Sequence, residues 1–344
     1  MKFLFTAPRF HTNLYYPIKS LLDHGHQVQF LALYQGRSEA HDLIKPTILG
    51  SWYELPPIFL FVKLFIRSRA DIVVVKDIVT RYSLLALFLG WLLRKKLIVL
   101  TQIPKFRSKK QSWSIKMLDL FGVQAITPVL GDRKFTNSNR NLIYVPFVVL
   151  SNNKTYTQYS NFAHEITILC VGKFQERKRQ LLLIKAVEKL RHKFAVKLLL
   201  SGEENEPKYL AEITNYIKDN QLGSVVSVVK HMPWKEMEAL YIKADLFVLP
   251  SVGESAAYSI LEAMGYGLPV ISSDDNGTQW YIRNGENGFV FKKDDLTDLI
   301  DKIEKIIANR DHLQRMGQVS FNITTTEHNP EVFYNSLMEI IRHK

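Results

Sequence analysis

PSVGESAAYSILEAMGYGLPVI, residues 250–271, is the stretch that decides the architecture. The apolar run just before it, Leu246, Phe247, Val248 and Leu249, reads as the end of a buried strand. Pro250 and Gly253 break that strand, and the stripe Ile260, Leu261, Met264 then predicts a helix. Ser255 is expected as its N-cap, and Gly265, Gly267 and Pro269 end it before a strand at Val270 and Ile271. Strand, loop, helix, strand is the repeating unit of a doubly wound α/β sheet. Glu254 falls on the loop at the helix mouth, and Glu262 lies roughly two turns further along. Backbone N–H groups at Ser255, Ala256 and Ala257 have no acceptor inside such a helix, so the junction is an anion site. Acids on either side of it suit a polyhydroxylated ligand that carries phosphate. Two solvated glutamates on an amphipathic helix are the plainer alternative.

With the strand end Pro250-Ser251 and the phrase Ala263-Met264-Gly265-Tyr266-Gly267-Leu268-Pro269, the two acids resemble the E-x7-E signature of retaining GT-B glycosyltransferases, notably glycosyltransferase family 4. The resemblance implies an α/β fold of two Rossmann-like domains facing across a cleft, with a C-terminal helix crossing back to the first. It assigns residues 1–155 to an acceptor domain, 156–328 to a nucleotide-sugar domain and 329–344 to the returning helix. It implies that Glu254 faces the donor sugar, that Glu262 holds the ribose, and that Ser255, Ala256 and Ala257 line the diphosphate. The phrase VGKFQERKR, 171–179, follows an apolar strand and precedes a helix. In the family it carries two cations that reach the diphosphate, and the matching positions are Lys173 and Lys178. An arginine is commoner at the first. Fixed positive charge there stabilises the negative charge that grows on the phosphate as the glycosidic bond breaks. As plain surface residues, the lysines would oppose the dipole of the helix they precede. Met232, in the phrase His231-Met232-Pro233-Trp234, resembles part of the base-pocket loop.

The resemblance is dense over 164–292 and thin over 1–150. A strand at 2–6, a helix at 14–24 and a strand at 27–33 open the first half as the family does. The usual glycine pair of the first loop is replaced by Arg9, Phe10, His11, Thr12 and Asn13. His11 and Asn13 are therefore acceptor-side candidates, although a loop histidine without a catalytic role fits as well. Gln102 stands where many relatives carry a histidine, and is the third candidate. In the second half, residues 310–317 are expected as a short helix and 330–343 as the last one.

Composition bounds the rest. The chain has 344 residues, 47% of them hydrophobic, and the single cysteine Cys170 excludes an internal disulfide. The net charge of +12 belongs to one half: residues 1–150 hold 21 Lys and Arg against 8 Asp and Glu. That surplus points to an anionic partner, whether a membrane surface, a phosphate-bearing acceptor or nucleic acid; a basic surface that serves only solubility is the plainer alternative. Lys105, Arg107, Lys109 and Lys110, with Phe106 and Trp113 between and after them, suit a lipid interface. The segment 58–69, apolar nearly all round with Lys63, Arg67 and Arg69, reads as a helix packed on the sheet with a membrane-facing edge. No apolar run reaches the ~20 residues of a spanning helix.

The expected function is retaining transfer of a sugar from a nucleotide-sugar donor to a glycan or lipid-linked acceptor in cell-surface polysaccharide synthesis. The protein would be cytoplasmic, with peripheral placement on the inner face of the plasma membrane as the second location, and no nucleic-acid partner is expected. Neither cofactor nor metal is expected, since two cations and a helix start supply the charge a divalent ion would bring. A sugar-nucleotide epimerase, a phosphorylase, or a basic module without catalysis are the competing readings.

Overall fold

A computed structural model describes residues 1–35, 43–50, 55–78, 80–102, 118, 122–129, 142–149, 165–230, 232 and 234–342. The basic loop 105–110, Trp113, and His231 and Pro233 lie outside them. The chain divides into two units, one of Met1–Val148 with His328–Lys344 and the other of Val149–Glu327.

In the first unit, β1 (Lys2–Ala7), β2 (Gln27–Ala32), β3 (Thr47–Ile48), β4 (Ile72–Lys76), β5 (Lys96–Leu100), β6 (Gln124–Thr127) and β7 (Leu142–Tyr144) form a parallel sheet ordered β3-β2-β1-β4-β5-β6-β7. Strands such as Ile72–Lys76 are apolar on both faces because helices cover both faces of a parallel sheet. The crossover helices are α1 (Tyr15–Asp23), α2 (Ile58–Arg67) and α3 (Arg81–Leu92). Right-handed crossovers put α2 and α3 on one face, where Phe61 meets Tyr82 at 5.4 Å between ring centroids. On α1 packs the last helix of the chain (Pro330–Arg342). Tyr334 stacks on His24 at 3.6 Å, and Ser20 Oγ donates to the Pro330 carbonyl at 3.0 Å.

The second unit repeats the plan. β8 (Ile166–Val171), β9 (Val196–Gly202), β10 (Val226–Lys230), β11 (Leu246–Leu249), β12 (Val270–Ser273) and β13 (Gly288–Phe291) form a parallel sheet ordered β10-β9-β8-β11-β12-β13. Its helices are α4 (Gln180–Leu190), α5 (Pro207–Asp219), α6 (Trp234–Lys243), α7 (Tyr258–Gly265), α8 (Leu296–Ile307) and α9 (Arg310–Glu327); the returning helix is then α10. Both sheets reverse direction beside their first strand, at β1/β4 and at β8/β11. The carboxyl ends of those strands are where an open α/β sheet binds ligand.

Two expectations are corrected. The helix expected to stop at Gly317 runs on to Glu327. Gly317 serves close approach there: a Cβ on it would lie 2.2 Å from the Gly267 carbonyl oxygen. The helix expected to begin near Ser255 begins at Tyr258, with Ala257 at the cap and no side-chain capping bond. Residues beyond Pro250 are held instead by strand-like pairing, Glu254 bridging to Asn276 and the Gly277 N–H donating to the Glu254 carbonyl at 2.8 Å. That tertiary pairing outcompetes an earlier helical turn. Glu262 consequently sits about one turn into α7, not two.

Candidate active site

Three loops meet at the carboxyl ends of β8, β11 and β12. The Val252 N–H donates to the Arg177 carbonyl at 2.8 Å, which ties the loop after β11 to the loop after β8. The Gly253 N–H donates to Asp275 Oδ2 at 3.1 Å, which ties it to the loop after β12. Gly277 is obligatory in this weave, since a Cβ there would stand 1.8 Å from the Ser255 carbonyl oxygen. After Gly172 the first loop makes a single tight turn, Glu176–Lys178, and passes Arg179 at φ +54° before α4 begins. A non-glycine residue in that left-handed region marks a backbone held by its surroundings.

This turn aims Lys178 back across Gly172 and into Glu254. Lys178 Nζ lies 2.5 Å from Glu254 Oε2, and Arg177 Nη1 lies 2.8 Å from the same oxygen. The side chains of Lys178 and Glu254 are only 10% and 12% exposed, so this is a largely desolvated pair. Burial alone would raise the Glu254 carboxyl, but the Lys178 ammonium and the Arg177 guanidinium outweigh it and hold it below the ordinary range. A buried carboxylate with two cations on one oxygen is replaceable: an incoming phosphate can take both cations. Just beyond, α7 begins at Tyr258 with no side-chain cap, so Ser255, Ala256 and Ala257, expected in its first turn, lie on the loop that leads into it and at its cap.

The remaining sequence candidates of this unit are placed as follows. Lys173 does not join the cluster; it pairs with Glu203 at 3.0 Å, at the end of β9. Glu262 also stands apart, on α7, where Tyr241 OH donates to its Oε2 at 2.9 Å. Tyr241 in turn stacks on Tyr266 at 5.2 Å. Ser255 and Ala256 are half-buried, Ala257 is buried and Met232 is half-buried. Arg177 escaped the sequence reading, because the basic run Arg177-Lys178-Arg179 does not say which side chain turns inward.

Burial pushes the Glu262 carboxyl up from 4.5 to about 7, against the bond from Tyr241. The unfolded chain therefore releases this proton first as pH rises. The contribution of this one carboxyl to stability is fully present below about pH 4.5 and is lost progressively as pH climbs through 7. The penalty is on the order of 3 kcal/mol. Glu262→Gln should remove it, so the variant gains melting temperature over wild type between pH 5 and pH 8; parallel pH curves would contradict the assignment.

In the first unit, His11, Asn13 and Gln102 form one hydrogen-bonded chain. The Asn13 N–H donates to His11 Nδ1 at 3.2 Å, and Asn13 Nδ2 donates to Gln102 Oε1 at 3.1 Å. Sequence reading missed Asp77, which follows β4 at φ +57° and whose carboxylate receives the Gln102 N–H. Burial raises its pKa, while Lys76 and that N–H lower it. Among the described residues, Asp77 Oδ1 and Gln102 Nε2 are buried without a hydrogen-bond partner. Asn13 and Gln102 border a cavity of about 30 Å³ with Phe5, Val74 and Leu100. One acceptor and one donor, both unspent, at neighbouring strand ends can receive a hydroxyl group. Among the described residues no group of three or more His, Cys, Asp and Glu has metal-binding geometry.

Comparison with known proteins matches this layout. The family model for glycosyl transferases group 1 matches residues 153–322. The lipopolysaccharide core biosynthesis glycosyltransferase LpsE of Rhizobium meliloti is 28% identical over 52% of this chain and 50% of its own. The capsular polysaccharide biosynthesis glycosyltransferase CapM of Staphylococcus aureus is 28% identical over 49% of this chain and 44% of its own. The chain thus spans about half the length of the curated relatives it matches. Among solved structures, Anabaena HepE in complex with UDP superposes over 100% of both chains with a TM-score of 0.82 at 15% identity. A glycosyltransferase from Rickettsia africae covers 99% of this chain and 97% of its own, with a TM-score of 0.80 at 16% identity. These likenesses establish the GT-B fold. Through residues 153–322, the chain belongs to the glycosyl transferases group 1 family.

Proposed function

We propose that the protein is a retaining glycosyltransferase that moves a sugar from a nucleoside-diphosphate sugar to a glycan or lipid-linked acceptor of a cell-surface polysaccharide. The observation that carries the reading is the pair of cations, Lys178 and Arg177, converging on one oxygen of Glu254 beside the start of α7. The donor diphosphate takes those cations and the N–H groups of Ser255, Ala256 and Ala257. Glu254, released from them, turns to the transferred sugar. Lys173 adds charge to the diphosphate on leaving Glu203, and Glu262 with Tyr241 receives the ribose hydroxyls. Met232 lies against the base. As the glycosidic bond breaks, Lys178 and Arg177 hold the charge that grows on the leaving phosphate. His11, Asn13, Gln102 and Asp77 receive the acceptor hydroxyl. Its attack on the face that the diphosphate leaves gives retention, with a phosphate oxygen taking the proton.

Support for the setting comes from the relatives, which serve lipopolysaccharide core and capsule synthesis, and from HepE, solved with UDP and with UDP-glucose. The basic first unit suits the cytoplasmic face of an anionic membrane, and no helix among the described residues is long and apolar enough to cross one. A panel of nucleoside-diphosphate sugars followed by phosphorus and proton NMR tests the proposal. One donor should lose its sugar with release of nucleoside diphosphate, and the product should keep the anomeric configuration. Inverted product, or no consumption of any donor by a protein that also ignores nucleoside diphosphates, would defeat it.

A further inference from the structure

We propose that the outer faces of α2 and α3 form a docking surface for an anionic phospholipid bilayer, which narrows the peripheral placement above to one face and does not depend on transferase activity. Of the thirteen large hydrophobic side chains exposed among the described residues, eight belong to these two helices. On α3, Leu84, Phe88, Trp91 and Leu92 recur at helical spacing and are each half or more exposed. The opposite side of α3 carries Tyr82, Ala86 and Leu89 into the core beneath. A helix apolar on both sides needs an apolar neighbour on both sides, and the sheet supplies only one. On α2, Phe61 and Phe65 fill the same core, while Phe59 projects at 93% exposure and Ile66 at 54%.

Charge identifies the occupant. Residues 56–96 hold eight Lys and Arg against two acids, Asp71 and Asp77, and Asp77 Oδ1 is buried. Lys63, Arg67, Arg81 and Arg94 are exposed on the same two helices or at their ends. Apolar side chains flanked by long cations and no exposed acid on the helices themselves match a bilayer interface, where the rings enter the acyl boundary and the cations snorkel to phosphate. A second copy of the chain fits poorly, because a two-fold contact would set these cations against their own equivalents. At ten and twelve residues, α2 and α3 are too short to span a bilayer and would lie along it.

The test uses the full chain with sedimentable vesicles, either phosphatidylcholine alone or phosphatidylcholine mixed with phosphatidylglycerol. Wild type should partition to the mixed vesicles. The triple variant Phe59→Ser, Phe88→Ser, Trp91→Ser should lose about tenfold or more of that partitioning. The pair Lys63→Glu, Arg81→Glu should lose the preference for phosphatidylglycerol. Both should keep wild-type circular dichroism and nucleoside-diphosphate binding, which separates this proposal from the catalytic one. Should the triple variant misfold, Phe59→Ser alone decides, since that side chain is almost fully exposed. Wild type that ignores both vesicles, variants that sediment like wild type, or a wild-type dimer that the triple variant dissolves without vesicle binding would each overturn the proposal.

Discussion

Glu254→Ala is expected to lower kcat by about 10²–10³-fold while nucleoside-diphosphate affinity is kept or improved. The separation follows from the ligand-free geometry. Glu254 occupies both Lys178 and Arg177, the two cations proposed to receive the diphosphate, so on that proposal it competes with the ligand for them. Its removal leaves a more positive pocket and takes away a group proposed to meet the sugar only once the phosphate has arrived. Calorimetric Kd beside steady-state kcat checks this. A variant that loses binding and turnover in equal measure would give Glu254 a purely structural part.

Lys178→Ala is expected to act on both quantities. Nucleoside-diphosphate Kd should rise about 10²-fold, because truncating one member of a desolvated charge contact costs about 2–5 kcal/mol. Donor turnover should fall further, by about 10³-fold, since the same ammonium is proposed to stabilise the negative charge that grows on the leaving phosphate. Stability should fall as well: Glu254 keeps Arg177 but loses its nearest partner. The sign of the pH dependence is fixed. The Glu254 carboxyl titrates below 4.5 in the native state, so its pairing stabilises above that pH and is lost as pH falls through the native value. The gap in denaturant stability between wild type and Lys178→Ala should therefore be widest near neutrality and close in acid. A gap that ignores pH would place the loss in packing instead.

Much of this architecture was legible in the residues. Parallel strands covered on both faces announce themselves as unbroken apolar runs, and the breaks at Pro250, Gly253 and Gly267 mark where chain leaves and rejoins the sheet. The features that escaped are those set by residues distant in sequence. Ser255 has the chemistry of a helix cap, yet pairing between Glu254 and Asn276 delays the helix to Tyr258. Gly317 looks like a stop, yet it admits the Gly267 carbonyl. The family resemblance put Lys173 beside Lys178 without showing that Glu203 faces the first and Glu254 the second. Arg177 was hidden in a basic run whose direction depends on the left-handed turn at Arg179. Asp77 has no local signal at all. Its interest comes from burial, a positive φ and an unspent oxygen, none of which a strand-end aspartate advertises.

The central claim is that a sugar diphosphate is gripped at the carboxyl ends of β8 and β11 by Lys178 and its neighbours. Isothermal titration of UDP, GDP and ADP into wild type and into Lys178→Ala addresses it most directly. At least one diphosphate should bind wild type and lose about 10²-fold in affinity to the variant. Affinity that survives the loss of Lys178 unchanged, or wild type indifferent to all three nucleotides, would contradict it.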